Sequence, residues 1–120
     1  MEYWGKHYIA NVTACALDKA RNPEHIRKFT VELVKAIDMK PYGTPTVLHF
    51  GEGELSGWTV TQLIETSNIM GHWIDSNGDL YFDVFSCKDF DEQIVTDMLK
   101  EWFEPEDINA MVLMRDARKA

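Results

Sequence analysis

The stretch Gly71–Cys87, GHWIDSNGDLYFDVFSC, decides the fold. Asn77-Gly78 stands between two β-like runs, GHWID and DLYFDVFSC, and an Asn-Gly pair in that setting is the strongest short hairpin signal a sequence carries. Strands joined by so tight a turn run antiparallel. Alternation then sorts the second run: Leu80, Phe82 and Val84 face one way, and Tyr81, Asp83, Phe85 and Cys87 face the other. One face is apolar, and the other mixes aromatic, acidic and thiol groups.

Upstream, WTVTQLIETS (58–67) reads as one longer strand. Val60 and Ile64 share a face, with Thr59, Thr61, Glu65 and Ser67 on the opposite one, while Gln62 falls on the apolar side. A Gly- and Glu-rich loop, GEGELSG, separates this strand from a short one, TVLHF. The first strand covers Lys6–Cys15. RNPEHIRKFTVELVKAID is a helix: Asn22 can cap it, Pro23 suits its first position, and Ile26, Phe29, Leu33, Val34 and Ile37 recur at helical spacing. KPYGTP ends it. Downstream, DEQIVTDMLKEWF forms a second amphipathic helix, with Ile94, Met98, Leu99 and Trp102 on one side and Pro105 beyond its end. NAMVLMR is the last strand.

The resulting order, β-α-β-β-β-β-α-β, is dominated by hairpins. It predicts an α+β fold: one domain over residues 1–120, a two-layer α/β sandwich with a largely antiparallel sheet and both helices on one face. The other sheet face, half polar and half aromatic, is left without cover. A second copy of the chain is the expected cover, making a homodimer.

The formal net charge of −8 over 120 residues argues against nucleic acid or an anionic membrane as partner, since both require clustered Lys and Arg. No apolar run approaches membrane-spanning length. MEYWGKHYIANV lacks the charged start, apolar middle and small-residue cleavage site of a signal peptide. Cys15 and Cys87 form no close motif, so free thiols and a cytoplasmic location are expected.

Ser67, His72 and Cys87 bring together a hydroxyl nucleophile, an acid/base and a thiol. On β-structure their spacings could converge across neighbouring strands, although an isolated Ser, His or Cys is more often structural. The four histidines include no HxxxH pair and the cysteines no CxxC, so no metal is expected. DSNGD from Asp75 has its Gly at the fourth position rather than the sixth of a calcium loop, and no closing Glu, so a hairpin turn explains it better. GEGELSG has neither phosphate-loop spacing nor a Lys.

The chain resembles the small prokaryotic-type S-adenosylmethionine decarboxylases, a pyruvoyl-dependent family of the polyamine pathway. GKHYIANVTAC is similar to the family's opening strand, and YFDVFSC to the strand carrying its catalytic cysteine. ETSNIMGHW stands where the family has its self-cleavage segment, usually Glu-Ser-His-x-Ser/Thr-x-His. The family's separations, five residues from the cleavage Ser to the His and fifteen from that His to the Cys, are reproduced by Ser67, His72 and Cys87.

The resemblance implies cleavage between Thr66 and Ser67. The Ser67 hydroxyl would attack the preceding peptide bond to form an ester, and elimination would leave a pyruvoyl group derived from Ser67. That keto group would act as the electron sink for decarboxylation, the task pyridoxal phosphate performs elsewhere. His72 would assist the rearrangement and Cys87 would donate a proton during decarboxylation. Thr59, eight residues before Ser67, occupies the place of a family serine that helps processing. The implied substrate is S-adenosylmethionine or a related amine, with spermidine synthesis as the destination.

The departures lie mostly on the substrate side. Thr66 replaces the usual Glu, Asn68 a His, and Met70 a small hydroxyl residue. WIDS replaces Thr-Trp-Pro-Glu, whose Glu holds the substrate ribose in the family. Asp75 is the nearest carboxylate for that work, and Glu65 is placed to bind a substrate amine. The chain reads as a divergent member. A non-processing homologue that binds or regulates, and a pyruvoyl decarboxylase of ornithine or arginine, are the alternative readings.

Overall fold

The computed structural model describes residues 2–119. Its elements are β1 (Gly5–Thr13), α1 (Leu17–Ala20), α2 (Pro23–Ala36), β2 (Pro41–Phe50), β3 (Gly57–Ile64), β4 (Ser67–Ile74), β5 (Leu80–Ser86), α3 (Glu92–Phe103) and β6 (Asp107–Arg115), with a single 3₁₀ turn at Gly53–Leu55. The strands form one sheet in the order β2-β3-β4-β5-β1-β6, and every neighbouring pair is antiparallel. The two-layer α+β sandwich expected from the sequence is therefore the fold, with a one-turn third helix, α1, added.

The hairpin at Asn77-Gly78 is present. β4 and β5 pair Trp73 with Leu80, and Gly78 supplies the positive φ (+78°) that the turn requires. A side chain at Gly78 would also meet the Cys15 carbonyl oxygen at 2.4 Å.

α2 starts as its sequence dictates: the Asn22 side chain accepts a hydrogen bond from the His25 amide (3.1 Å), and Pro23 follows at the first helical position. It ends in a Schellman motif. Asp38 takes the left-handed conformation, and the Met39 and Asp38 amides donate to the carbonyls of Val34 and Lys35. Met39 is thereby fixed against the sheet, which matters below.

The core lies between helices and sheet. Tyr8, Phe29, Leu33, Ile69, Trp73, Phe82, Leu99 and Phe103 are all essentially inaccessible. On α3 the innermost residues are Val95, Leu99 and Phe103, so the buried stripe is rotated from the expected one, and Ile94, Met98 and Trp102 flank it. Lys6 is nearly buried on this side. Its ammonium is held by Glu92 (2.6 Å), Asp89 (3.1 Å) and the Phe90 carbonyl (2.7 Å), which clamps the start of α3 to β1.

Three expectations need correction. β2 begins at Pro41 rather than Thr46, because KPYGTP continues into a strand with a register shift between Tyr42 and Thr46. An edge strand tolerates prolines that a central strand would not. WTVTQLIETS is not one strand: β3 ends at Ile64, Glu65-Thr66 form a two-residue turn, and Ser67 opens β4. The turn also reverses the face assigned to Ser67, which lies opposite Ile64 and Ser86 on the helix side rather than with Thr59 and Thr61. Gln62 does belong to the buried face, where its amide nitrogen donates to the carbonyls of Leu63 and Gly43.

Candidate active site

The β3–β4 turn places the Thr66–Ser67 peptide at the rim of the sheet, between two fixed elements. On one side the Cys87 amide donates to the Thr66 carbonyl oxygen at 3.0 Å. The Thr66 hydroxyl accepts from the Ser86 hydroxyl (2.8 Å) and donates to the Met39 sulfur (3.4 Å). On the other side the Glu65 amide donates to the Lys40 carbonyl, and the Glu65 carboxylate lies 3.5 Å from the exposed Lys40 ammonium. Glu65 is thus a turn residue facing solvent.

Ser67 and Cys87 come to the same rim, Ser67 from the helix side. Ser67 lies opposite Ser86, and Cys87 is exposed one residue further on. His72 does not join them. It is five residues along the same extended strand, about 16 Å from Ser67. There it pairs instead with Thr59: the Thr59 hydroxyl and His72 Nδ1 are 3.0 Å apart across the β3–β4 ladder. The expected trio therefore divides into a Ser67–Cys87 corner and a Thr59–His72 pair.

Asp75 lies just beyond the end of β4, three residues on from His72. His49 Nε2 is 2.6 Å from the Asp75 carboxylate, the Ser56 hydroxyl donates to the same carboxylate oxygen at 3.0 Å, and Arg21 Nε donates to the Asp75 backbone carbonyl. The His49 bond above all, aided by Ser56, holds the Asp75 carboxyl below its usual range against the opposing effect of burial. Ser56 and Asp75 both approach the same imidazole nitrogen, so this group is not a nucleophile triad, which needs them on opposite ring nitrogens.

The face without helices carries further groups that sequence spacing did not single out. His7 Nε2 is 3.0 Å from the Asp83 carboxylate, and its Nδ1 is 3.5 Å from an Arg115 guanidinium nitrogen. Arg115 lies over the Phe85 ring (4.7 Å), and Trp4 packs against the same ring at 5.9 Å. Asp83 and Phe85 were readable by alternation as sharing the face of Cys87. Their union with His7 and Arg115 depends on the β5-β1-β6 strand order, for which no local signal exists. Ser86 and Met39 were missed for the same reason. The two cysteines differ sharply: burial pushes the Cys15 thiol up to about 12, whereas Cys87 is exposed.

The fold and this rim define a class: a single-layer antiparallel sheet backed by helices, with a Ser-bearing hairpin turn presented beside a cysteine. A family model for S-adenosylmethionine decarboxylase matches residues 6–116, and the chain belongs to that family. The crystal structure of the adenosylmethionine decarboxylase from Aquifex aeolicus VF5 is similar in fold, with a TM-score of 0.82 at 23% identity, over 98% of this chain and 94% of that one. Comparison with curated proteins gives no match.

Proposed function

We propose that the chain is a pyruvoyl-dependent decarboxylase that cleaves itself between Thr66 and Ser67 and then acts on S-adenosylmethionine, in the cytoplasm, within polyamine synthesis. The observation that carries this reading is the Cys87 amide on the Thr66 carbonyl oxygen. Attack by the Ser67 hydroxyl on that carbonyl carbon turns the oxygen into an oxyanion, and an amide already in place stabilises it without reorganisation. The new C–O bond replaces the C–N bond, giving an ester and a free amine at residue 67. Elimination then leaves Thr66 as a carboxylate, and hydrolysis of the remaining enamine releases ammonia.

The resulting keto group, when present, supplies an electron sink for loss of carbon dioxide. The chain's own residues do the rest. Cys87, exposed at the rim, is placed to deliver a proton. Trp4 and Phe85 offer an aromatic shelf beside it for a planar ring.

His72 and Thr59 are too far from Ser67 to act within one chain, which supports a composite site. The uncovered sheet face bears Leu63 (50% exposed), Tyr81 (51%) and Met111 (56%), more apolar surface than an isolated sheet face retains. A second copy covering that face, related by a two-fold axis crossing the strands at the level of Met70 and Asp83, would bring its Thr59–His72 pair to the level of the first copy's Asn68, next to the Thr66–Ser67 peptide at the rim. The functional unit in this reading is a homodimer.

Denaturing intact mass of fresh and long-incubated protein, beside Ser67→Ala, tests the proposal. Two fragments should appear, the C-terminal one lighter by ammonia than a fragment starting with an unmodified Ser67, and Ser67→Ala should stay whole. A single chain of 13.9 kDa under every condition would remove the electron sink and leave the binding-protein reading. If cleavage occurs, carbon dioxide release from ornithine or arginine but not from S-adenosylmethionine would move the substrate.

A further inference from the structure

On the helix side, behind the Thr66 turn, a cleft of about 270 Å³ opens between the second half of α2 and the bulged start of β2. Val31, Val34, Met39, Pro41 and Pro45 line it with apolar surface, and Gln62 lines it as a polar residue. Gln62 is only 1% exposed. Its amide nitrogen donates to the Leu63 carbonyl (2.6 Å) and the Gly43 carbonyl (3.3 Å). Both neighbours are pure acceptors, which fixes the orientation of the amide. Its amide oxygen accepts from no group among the described residues. This oxygen keeps contact with solvent, so it is free to accept from a molecule that enters the cleft.

Charge narrows the occupant. Lys35 at the rim is already 3.4 Å from Glu32, and no carboxylate lines the cleft among the described residues. The mostly apolar lining, with no such carboxylate and only a solvent-screened ammonium at the rim, favours an uncharged occupant. A cavity of about 150 Å³ accepts benzene, so this one, at about 270 Å³, has room for roughly ten heavy atoms. One wall also reaches the rim of the candidate active site: the Met39 sulfur accepts from the Thr66 hydroxyl (3.4 Å) and lies 3.8 Å from the Ser86 hydroxyl oxygen.

We propose that this cleft binds a small uncharged, largely aliphatic molecule carrying one O–H or N–H donor, which bonds the Gln62 oxygen, and that Met39 transmits its presence to Thr66. The link to self-cleavage rests on the function proposed above; the binding site does not.

Amide NMR on the uniformly ¹⁵N-labelled full chain separates the two, with hexan-1-ol as probe and methyl pentyl ether as its donor-free isostere. Saturable shifts should centre on Val34, Met39 and the Gln62 side-chain amide, extend to Thr66 and Cys87, and be roughly fivefold or more weaker in affinity for the ether. Val31→Trp, a substitution at the exposed mouth of the cleft, should abolish them. Met39→Leu should keep binding while removing the shifts at Thr66 and Cys87. Absence of saturable shifts, equal affinity for the ether, or unchanged binding in Val31→Trp would overturn the site. Shifts that stop short of Thr66 in the wild-type chain, or that reach it equally in Met39→Leu, would overturn the coupling. None of these readouts requires cleavage to occur.

Discussion

If the candidate site is shared between two copies, two individually dead variants should rescue one another. Ser67→Ala has no nucleophile, and His72→Ala has no imidazole beside Thr59. On one strand these positions are about 16 Å apart, against the ~3 Å reach of a proton-transferring side chain, so neither chain can complete its own site. In a mixed dimer the Ser67→Ala copy supplies Thr59 and His72 to the other copy's intact Ser67. Random pairing of equal amounts makes about half the dimers mixed, so about half of the His72→Ala chains, or a quarter of all chains, should be cleaved. The two variants are unfolded together in denaturant, refolded at dimer-forming concentration, and followed by denaturing intact mass. Each variant refolded alone should yield little fragment, because loss of a general acid/base costs roughly 10²- to 10⁴-fold in rate. Cleavage of His72→Ala alone at the wild-type rate would refute the reasoning, as would an uncleaved mixture when refolded wild-type chain cleaves.

Three further outcomes follow from the geometry. Asn22→Ala should lower stability by about 1 kcal/mol in urea titration, through loss of the α2 cap, with an unchanged denaturant slope. Iodoacetamide at pH 8 should leave Cys15 unmodified in the folded protein and label it on unfolding, as burial and a thiol pushed up to about 12 require; native labelling of Cys15 at the rate of a free thiol would contradict its placement. Lys6 bonds hold the Glu92 and Asp89 carboxyls below their usual range, so their contribution to stability is present above about pH 4.5 and is lost as pH falls through the lowered values. Lys6→Met should therefore flatten the acid limb of stability against pH between about 5 and 3, and an unaltered limb would remove Lys6 as the cause.

How far the sequence reached depends on the range of each signal. The β4–β5 hairpin, the Asn22 cap and the order of the elements were legible because each rests on neighbouring residues. The family's spacing also marked Ser67, His72 and Cys87. The Glu65-Thr66 turn was not legible: it contains no Gly, Asn or Pro, and the hydroxyl residues around it fit a strand equally well. Missing that turn also reversed the face of Ser67, since a two-residue loop resets the alternation. The separation of His72 from Ser67 needed the turn as well, for only with Ser67 opening β4 does the spacing of five become an extended distance. The Met39–Thr66–Ser86 contacts join three segments that only the tertiary fold brings together.

The strand order gives a cut at Thr66 a particular consequence. The first piece would contain β1, β2 and β3, and the second β4, β5 and β6, yet β1 lies between β5 and β6. The pieces would be interleaved, each holding a strand inside the other's territory, so cleavage releases nothing and leaves the sheet intact. Folding, however, changes its molecularity. The uncut chain closes its sheet at a rate independent of concentration, whereas the cut one, once unfolded, must find its other half by diffusion before β1 can be enclosed. Thermal unfolding of the processed protein should thus become concentration-dependent and poorly reversible. A chain that cleaves itself there would have to fold first and be cut afterwards.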